Sequence, residues 1–480
     1  MIGLLGILLA LTLLIWLAFR GISVLILGPV MALLAAAFSM QPGLATYTQV
    51  FMPAAGGFII NFFPLFLLGA IFGRLMDDSG SARAIADGIV DRLGAAQAIP
   101  AIVLSCAVLT YGGVSLFVVA FAIYPVAAAL FRLADIPKRL IPGTIALGAF
   151  TFTMTALPGT PAIQNAIPMP YFGTTPFAAP GLGIIAAFTM ASLGLGWLVL
   201  QQRRARAAGE GYGAEAGGMP QLDNGGHALA TERGYDLREI EGAARAGRPP
   251  VWIGVLPIVI VIALNYTLSV HVLPALDTSY LAHPEFGAAT IADVRGIWAI
   301  IVSLTVAILA ILALNRSRLA DIPGSLGDGA NASVLPIFNT ASLVGFGAVV
   351  AALPAFALVR GAVEGLGGGV LVSLALSTNI LAGLTGSASG GMSIALEALG
   401  ADYLALARDQ GISPELLHRV TSIATGGLDS LPHNGAVITL LAICGLTHRE
   451  SYRDIAIVAV AAPIVALVVV IVLGTLFGSF

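Results

Sequence analysis

Uninterrupted apolar runs as long as a bilayer is thick dominate this chain. MIGLLGILLALTLLIWLAF opens it, and IAIVAVAAPIVALVVVIVLGTLF lies near its end. A helix needs about 20 residues to cross the hydrocarbon core, where an unpaired backbone group costs several kcal/mol. Of the 480 residues, 58% are hydrophobic and 10% charged, where a soluble domain carries roughly a quarter charged. The chain reads as an all-α polytopic membrane protein with lipid as its main surroundings. A net charge of -3 offers no basic face for nucleic acid. Cys106 and Cys444 lie in apolar runs and read as small buried hydrophobes. No metal-ligand spacing or cofactor motif is present, so none is expected.

The first run lacks a positive segment before it, and Arg20 follows it. It reads as a first crossing with its N-terminus outside, not as a signal peptide. Ten crossings are expected, at 2–19, 21–40, 58–75, 140–165, 181–200, 251–274, 295–314, 331–352, 415–445 and 454–477. Two more apolar stretches, 98–131 and 369–400, are interrupted at their middles by TYGGVS (110–115) and TGSASGG (385–391). Each reads as a re-entrant hairpin; one long helix with a Gly-weakened centre, or two full crossings, are the alternatives. With hairpins, eighteen of the 22 Lys and Arg fall on one side. Arg295, Arg360, Arg408 and Arg419 fall on the other. By the positive-inside rule the rich side is cytoplasmic, and both termini lie outside in a cell (inner) membrane. Residues 201–250 read as a polar cytoplasmic linker, with at most a short helix at DLREIEGAARA.

The two halves, 1–200 and 251–480, resemble each other. FPLF (63–66) is echoed by LPIF (335–338). LTYGGVSLFVVAFA (109–122) is echoed by LTGSASGGMSIALEA (384–398). The segment 135–163 is echoed by 411–437. The expected topology makes these repeats inverted, with one hairpin opening to each side. Inverted repeats with broken helices mark secondary transporters, whose site lies at midplane between the repeats. GLDSLPHNG (427–435) and MTALPGTPAIQN (154–165) are then the two helix breaks, where Pro158, Pro161 and Pro432 lack the N–H a continuous helix would use.

Half-helix N-termini attract anions without a cation. No Lys or Arg is expected near tips or breaks, so hydroxyls, carboxamides and backbone should hold an anionic substrate. Candidates are Thr110, Gly112, Gly113, Ser115, Thr155, Thr160, Gln164 and Asn165 in the first half, and Thr385, Ser387, Ser389, Thr425, Ser430 and Asn434 in the second. Any single Ser or Thr here could equally be back-bonded in its own helix. Asp429, His433 and Glu397 are the ionisable residues expected near midplane, and so candidates for a proton relay. The alternative is that Asp429 caps a half-helix and His433 bonds across the bundle.

FLLGAIFGRLMDDSG, TGSASGGMSIALEALG and GLDSLPHNGAVITLLAICGLTHRESYRDI resemble the GntP-type family of gluconate and hydroxy-acid permeases, part of the ion transporter superfamily. The resemblance implies a homodimeric elevator, with a scaffold of 2–40, 181–200, 251–314 and 454–477 and a moving domain of 58–165 plus 331–445. It also implies proton-coupled uptake of a small hydroxy-monocarboxylate such as gluconate or 3-hydroxybutyrate. The Ser-Asn-Thr tip signature of the superfamily's sodium-coupled dicarboxylate branch is absent; Ser377-Thr378-Asn379 has another order and precedes the tip. A sodium-coupled carrier, an anion channel and a membrane-embedded enzyme are the competing readings. No HExxH, GxSxG or GxxxxGK[ST] motif supports an enzyme or a nucleotide-driven pump.

Overall fold

The structure is a computed structural model that describes residues 2–20, 22–213, 249–358, 361, 369–432 and 434–480. The DLREIEGAARA segment and Arg360 lie outside the described residues. Among those described there are helices and turns and no strand.

Seven helices are long and apolar enough to cross a membrane. They are α3 (Gly43–Asp78), α6 (Leu116–Leu133), α11 (Pro180–Ala207), α12 (Val251–Ala275), α13 (Ile291–Leu314), α14 (Ile322–Ala352) and α19 (His448–Phe477). An eighth would be α4 (Ser81–Leu93) taken with the helical stretch that follows it, although the two meet at 108°. Six of the seven coincide with six of the ten expected crossings, and α6 lies in the first expected hairpin stretch. Two of the ten, α1 (Ile2–Phe19) and α2 (Val24–Phe38), are shorter apolar helices. Two others, 140–165 and 415–445, are interrupted and span only in pieces.

The first broken helix is interrupted twice. α7 (Leu140–Ala149) stops, α8 (Phe152–Thr155) makes one turn, and the chain then stays non-helical until α9 (Ile163–Ala166) and α10 (Pro168–Phe172). Two prolines remove donors there, and Gly159 turns the chain at φ +83°. Its amide donates sideways to Pro176 O at 2.8 Å. The second broken helix has a single gap, between α17 (Pro414–Leu428) and α18 (Gly435–Cys444).

Both interrupted apolar stretches fold as helix pairs meeting at a tip. α5 (Ala98–Tyr111) and α6 form one; α15 (Gly369–Thr385) and α16 (Ala388–Asp409) form the other. Each tip turns at a glycine with positive φ, Gly113 at +97° and Gly386 at +62°. That region is disfavoured for side chains with a Cβ.

α3 and α14 lie antiparallel along each other. At one end Arg74 Nη2 donates to Asp328 Oδ2 at 3.0 Å and Ser325 Oγ to Asp78 Oδ2 at 2.6 Å. At the other, a Cβ on Gly345 would lie 2.8 Å from the Phe51 ring. This register sets FPLF opposite LPIF, as an inverted repeat requires of its central pair.

The helices fall into two groups that share a long seam, along which α14 packs on α16 as extensively as it packs on α2. α2 packs on α14, α13 packs on α3, and α12 packs on α13, so α1, α2, α3, α12, α13 and α14 form one body. The hairpins and broken helices form the other. α11 and α19 join this second body, not the first, against the expectation for 181–200 and 454–477: they pack on each other and on α7 and α17. Small residues bring them close. A Cβ on Gly183 would sit 2.5 Å from Ala156 O, and one on Gly474 would sit 2.5 Å from Leu416. Gly183→Val should therefore destabilise the protein by about 1–3 kcal/mol, read as a lowered unfolding midpoint in detergent.

Beyond α11 the chain folds back on the α6–α7 loop. Glu210 pairs with Arg139 at 2.7 Å, and this pairing holds the Glu210 carboxyl below its usual range. Arg139 also reaches Asp454 of α19 at 3.0 Å, tying three segments of the second unit together.

Candidate functional site

Both hairpin tips and both helix breaks converge on one cavity of about 270 Å³. Thr110, Gly113 and Ser115 line it from the first tip, and Ser387 and Ser389 from the second. Pro161 and Gln164 come from the first break; Asp429, Ser430 and Asn434 come from the second. α3 and α14 close the cavity from the other unit with Phe66 and Leu65, and with Ser333, Pro336, Asn339 and Thr340. Phe117, Phe150, Met154 and Leu304 add apolar wall.

Nine of the sequence-derived candidates thus meet: Thr110, Gly113, Ser115, Gln164, Ser387, Ser389, Asp429, Ser430 and Asn434. The others do not reach the cavity, each for a local reason. A Cβ on Gly112 would point at Ile258 of α12, 2.6 Å away. Thr155, Thr385 and Thr425 back-bond to their own helices, through Thr151 O, Leu381 O and Ser422 O. Thr160 Oγ1 accepts from Ala162 N inside the break. Asn165 is fully buried and donates to Thr160 O and Pro176 O, so it braces the break. Glu397 accepts a hydrogen bond from Tyr171 at 2.9 Å, away from the cavity. His433 lies outside the described residues.

Sequence reasoning missed the α14 wall. The LPIF echo was the available signal: Ser333, Asn339 and Thr340 flank it on the same helix. It also placed Arg419 on the outer surface and expected no basic side chain at the breaks. Arg419 is instead fully buried and donates to Thr155 O and Ala156 O at the first break.

Three long half-helices begin at the cavity. α6 starts after Ser115. α16 starts at Ser387, whose Oγ accepts from Gly390 N at 3.1 Å. α18 starts at Asn434, whose Oδ1 accepts from Ala436 N at 2.7 Å and Val437 N at 3.2 Å. Asn434 Nδ2 donates to Gly386 O at 2.8 Å, so one carboxamide joins the second break to the second tip. α5, α15 and α17 end at the cavity, which brings carbonyl ends there as well. Asp429 is the sole charged residue among the described lining, and Ser430 Oγ donates to its Oδ1 at 3.1 Å.

Three polar lining residues each carry a buried side-chain oxygen without a protein partner. They are Thr110, 3% exposed, Asn339, 8%, and Gln164, 9%. Buried polar atoms are normally paired, so these residues suit a polar ligand. Gln164→Ala and Asn339→Ala should each weaken binding of such a ligand by about 1–2 kcal/mol, roughly 5–30-fold, by thermal shift or calorimetry. Thr385→Ala, which removes hydrogen bonds only to the backbone oxygens of Leu381, Ala382 and Ser387, should change it far less.

Broken helices and hairpins around a cavity with an apolar wall and a set of polar groups, inside a bundle of membrane-long helices, define a membrane transporter. The chain belongs to the transporter family that includes the uncharacterized transporter YxjC of Bacillus subtilis (strain 168). The two are 44% identical over 459 residues, covering 94% of each chain. The fold is similar to the crystal structure of the Alcanivorax borkumensis YdaH transporter, with a TM-score of 0.57 and 17% identity over 91% of this chain and 90% of that one. No protein-family model matches the sequence.

Proposed function

We propose that the protein is a secondary active carrier that imports a small organic monoanion with a proton across the cell (inner) membrane. The carrying observation is the cavity itself: two tips and two breaks meet there, hydroxyls and carboxamides line it, and Asp429 is the one charged lining residue among those described. Three half-helix N-termini suit a carboxylate, and the unpaired side-chain oxygens of Gln164 and Asn339 suit hydroxyl donors on the same molecule. The adjacent hydroxyl-rich wall and the resemblance to GntP-type permeases favour a hydroxy-acid such as gluconate or 3-hydroxybutyrate. The apolar wall of Phe66, Phe117 and Phe150 leaves room for a short carbon chain. Asp429 carries the proton. The carrier works as a homodimer, with its linker in the cytoplasm and both termini outside.

Sodium in place of the proton is the second reading, favoured by the carbonyl ends of α5, α15 and α17 at the cavity, which suit a cation. Proteoliposomes separate the two. Labelled 3-hydroxybutyrate and gluconate are offered under an imposed pH gradient, then under a sodium gradient at constant pH. Accumulation with the pH gradient alone is the expected result. Counterflow of labelled against unlabelled substrate should also appear, which a channel would not give. Accumulation driven by sodium alone would overturn the proton assignment, and no uptake of either acid would overturn the substrate class.

A further inference from the structure

Arg419, on the second turn of α17, has no carboxylate within 4 Å among the described residues. Its Nε donates to Ala178 O at 3.1 Å and its Nη2 to the same oxygen at 2.7 Å. Its Nη1 reaches Ala156 O at 3.1 Å, Thr155 O at 3.3 Å and Asn165 Oδ1 at 3.4 Å. All of these partners are neutral oxygens. A guanidinium stays protonated in proteins, so a full positive charge is fixed inside the bundle. The residue is 0% exposed, and a buried charge is ordinarily paired with an opposite one.

The acceptors are built for this charge. Thr155 O and Ala156 O are the free carbonyl end of the α8 turn. Asn165 cannot turn its amide inward, because its Nδ2 is already given to Thr160 O and Pro176 O. His418 completes the shell, with Nε2 at 3.1 Å from Asn165 Oδ1 and Nδ1 at 2.6 Å from Thr174 Oγ1. Asn165 Oδ1 only accepts, so Nε2 carries the hydrogen, and the Thr174 hydroxyl can donate to Nδ1. A neutral imidazole satisfies both contacts and adds no second charge. Ser422, one turn further along α17, donates to Gln164 O at 2.7 Å and so fixes a cavity-lining residue to the same helix face.

Carbonyl clusters at the ends of broken helices are where carriers of this architecture hold a coupling cation. Here a side chain fills one. We propose that Arg419 is a built-in cation: it occupies the carbonyl cluster of the first-half break, so that this half takes no mobile ion and a fixed positive charge stands behind the anion site before substrate arrives. Arg419 touches none of the cavity and acts as a positioning and electrostatic residue behind Met154 and Gln164. The role in anion binding rests on the carrier reading above; the cation cluster itself does not.

The test is an opened cluster. Full-length Arg419→Ala in detergent is titrated with millimolar guanidinium chloride, with choline chloride at equal ionic strength as the control. Guanidinium should raise the variant's unfolding midpoint by several degrees, saturably, and leave wild type unmoved. No saturable shift, or the same shift in wild type, overturns the proposal. Should Arg419→Ala not fold, Arg419→Lys and Arg419→Gln decide it: a resident cation requires the lysine variant to melt higher, and the opposite order sinks the idea. In proteoliposomes, guanidinium should also restore 3-hydroxybutyrate uptake to Arg419→Ala. Stabilisation without that rescue keeps the cation cluster and faults the substrate reading instead.

Discussion

Asp429→Asn should abolish accumulation of substrate against its gradient and leave exchange across the membrane largely intact. The carboxamide keeps the shape of the carboxylate and can still take the Ser430 hydroxyl, which donates to Oδ1 at 3.1 Å. What it loses is the ability to carry a proton. Exchange needs only a loaded carrier that moves and reloads. Accumulation also needs an empty carrier that returns without its proton, and a permanently neutral residue cannot register that difference. With wild type accumulating at least tenfold under a pH gradient of two units, the variant should not rise above the equilibrium level. A mutant that still concentrates substrate removes Asp429 from the relay. Charge counting adds a second readout. Arg419 is positive, and an ionised Asp429 balances it in the empty site. A monoanion entering alone would leave one negative charge, whereas a monoanion with a proton on Asp429 restores neutrality. Wild-type uptake should therefore be indifferent to a potassium diffusion potential set with valinomycin, and a strong dependence on that potential would contradict one proton per monoanion.

The parts of this arrangement that are local were legible in the sequence. TYGGVS and TGSASGG announce their tips because a turn inside an apolar run needs glycine, and both chains do turn there at Gly113 and Gly386. The breaks announce themselves through Pro158, Pro161 and Pro432. Nine of the proposed lining residues follow from those two signals alone. The misses are matters of tertiary direction. Thr155, Thr385 and Thr425 have the right chemistry and depth, but a threonine on a helix can bond its own backbone, and all three do. Arg419 was sorted by position along the chain, which cannot distinguish a cation facing water from one facing a neighbouring helix's carbonyls. The grouping of α11 and α19 was missed for a related reason. Hydropathy marks a span but not its neighbours; Gly183 and Gly474, which admit those neighbours, look like ordinary membrane-helix glycines.

That regrouping changes what an elevator would have to move. The boundary now runs between α1, α2, α3, α12, α13 and α14 on one side and everything from the first hairpin to α11, and from the second hairpin to α19, on the other. Contacts across it are mostly apolar: Ile258 beside Gly112, Met169 beside Gly296, and Ile394 beside Gly347. Asn265 Nδ2 adds a polar contact, donating to Gly159 O at 3.1 Å. Such a surface can slide without stranding many buried polar groups. The two hairpins meet it unequally, since α16 packs along α14 while α6 touches α3 over a much shorter length. The first tip is thus the contact to trap. A Cβ added to Gly73 of α3 would lie 3.9 Å from Ser115 Cβ, inside the Cβ–Cβ range of a disulfide. With Cys106 and Cys444 replaced by serine or alanine, oxidation of the Gly73→Cys, Ser115→Cys pair should lower uptake at least tenfold, and reduction should restore it. Each single cysteine variant, treated with the same oxidant, should keep its own starting rate. Full transport through the oxidised, cross-linked protein would mean that α3 and the first hairpin keep their contact throughout the cycle, and the two-unit movement would have to be abandoned.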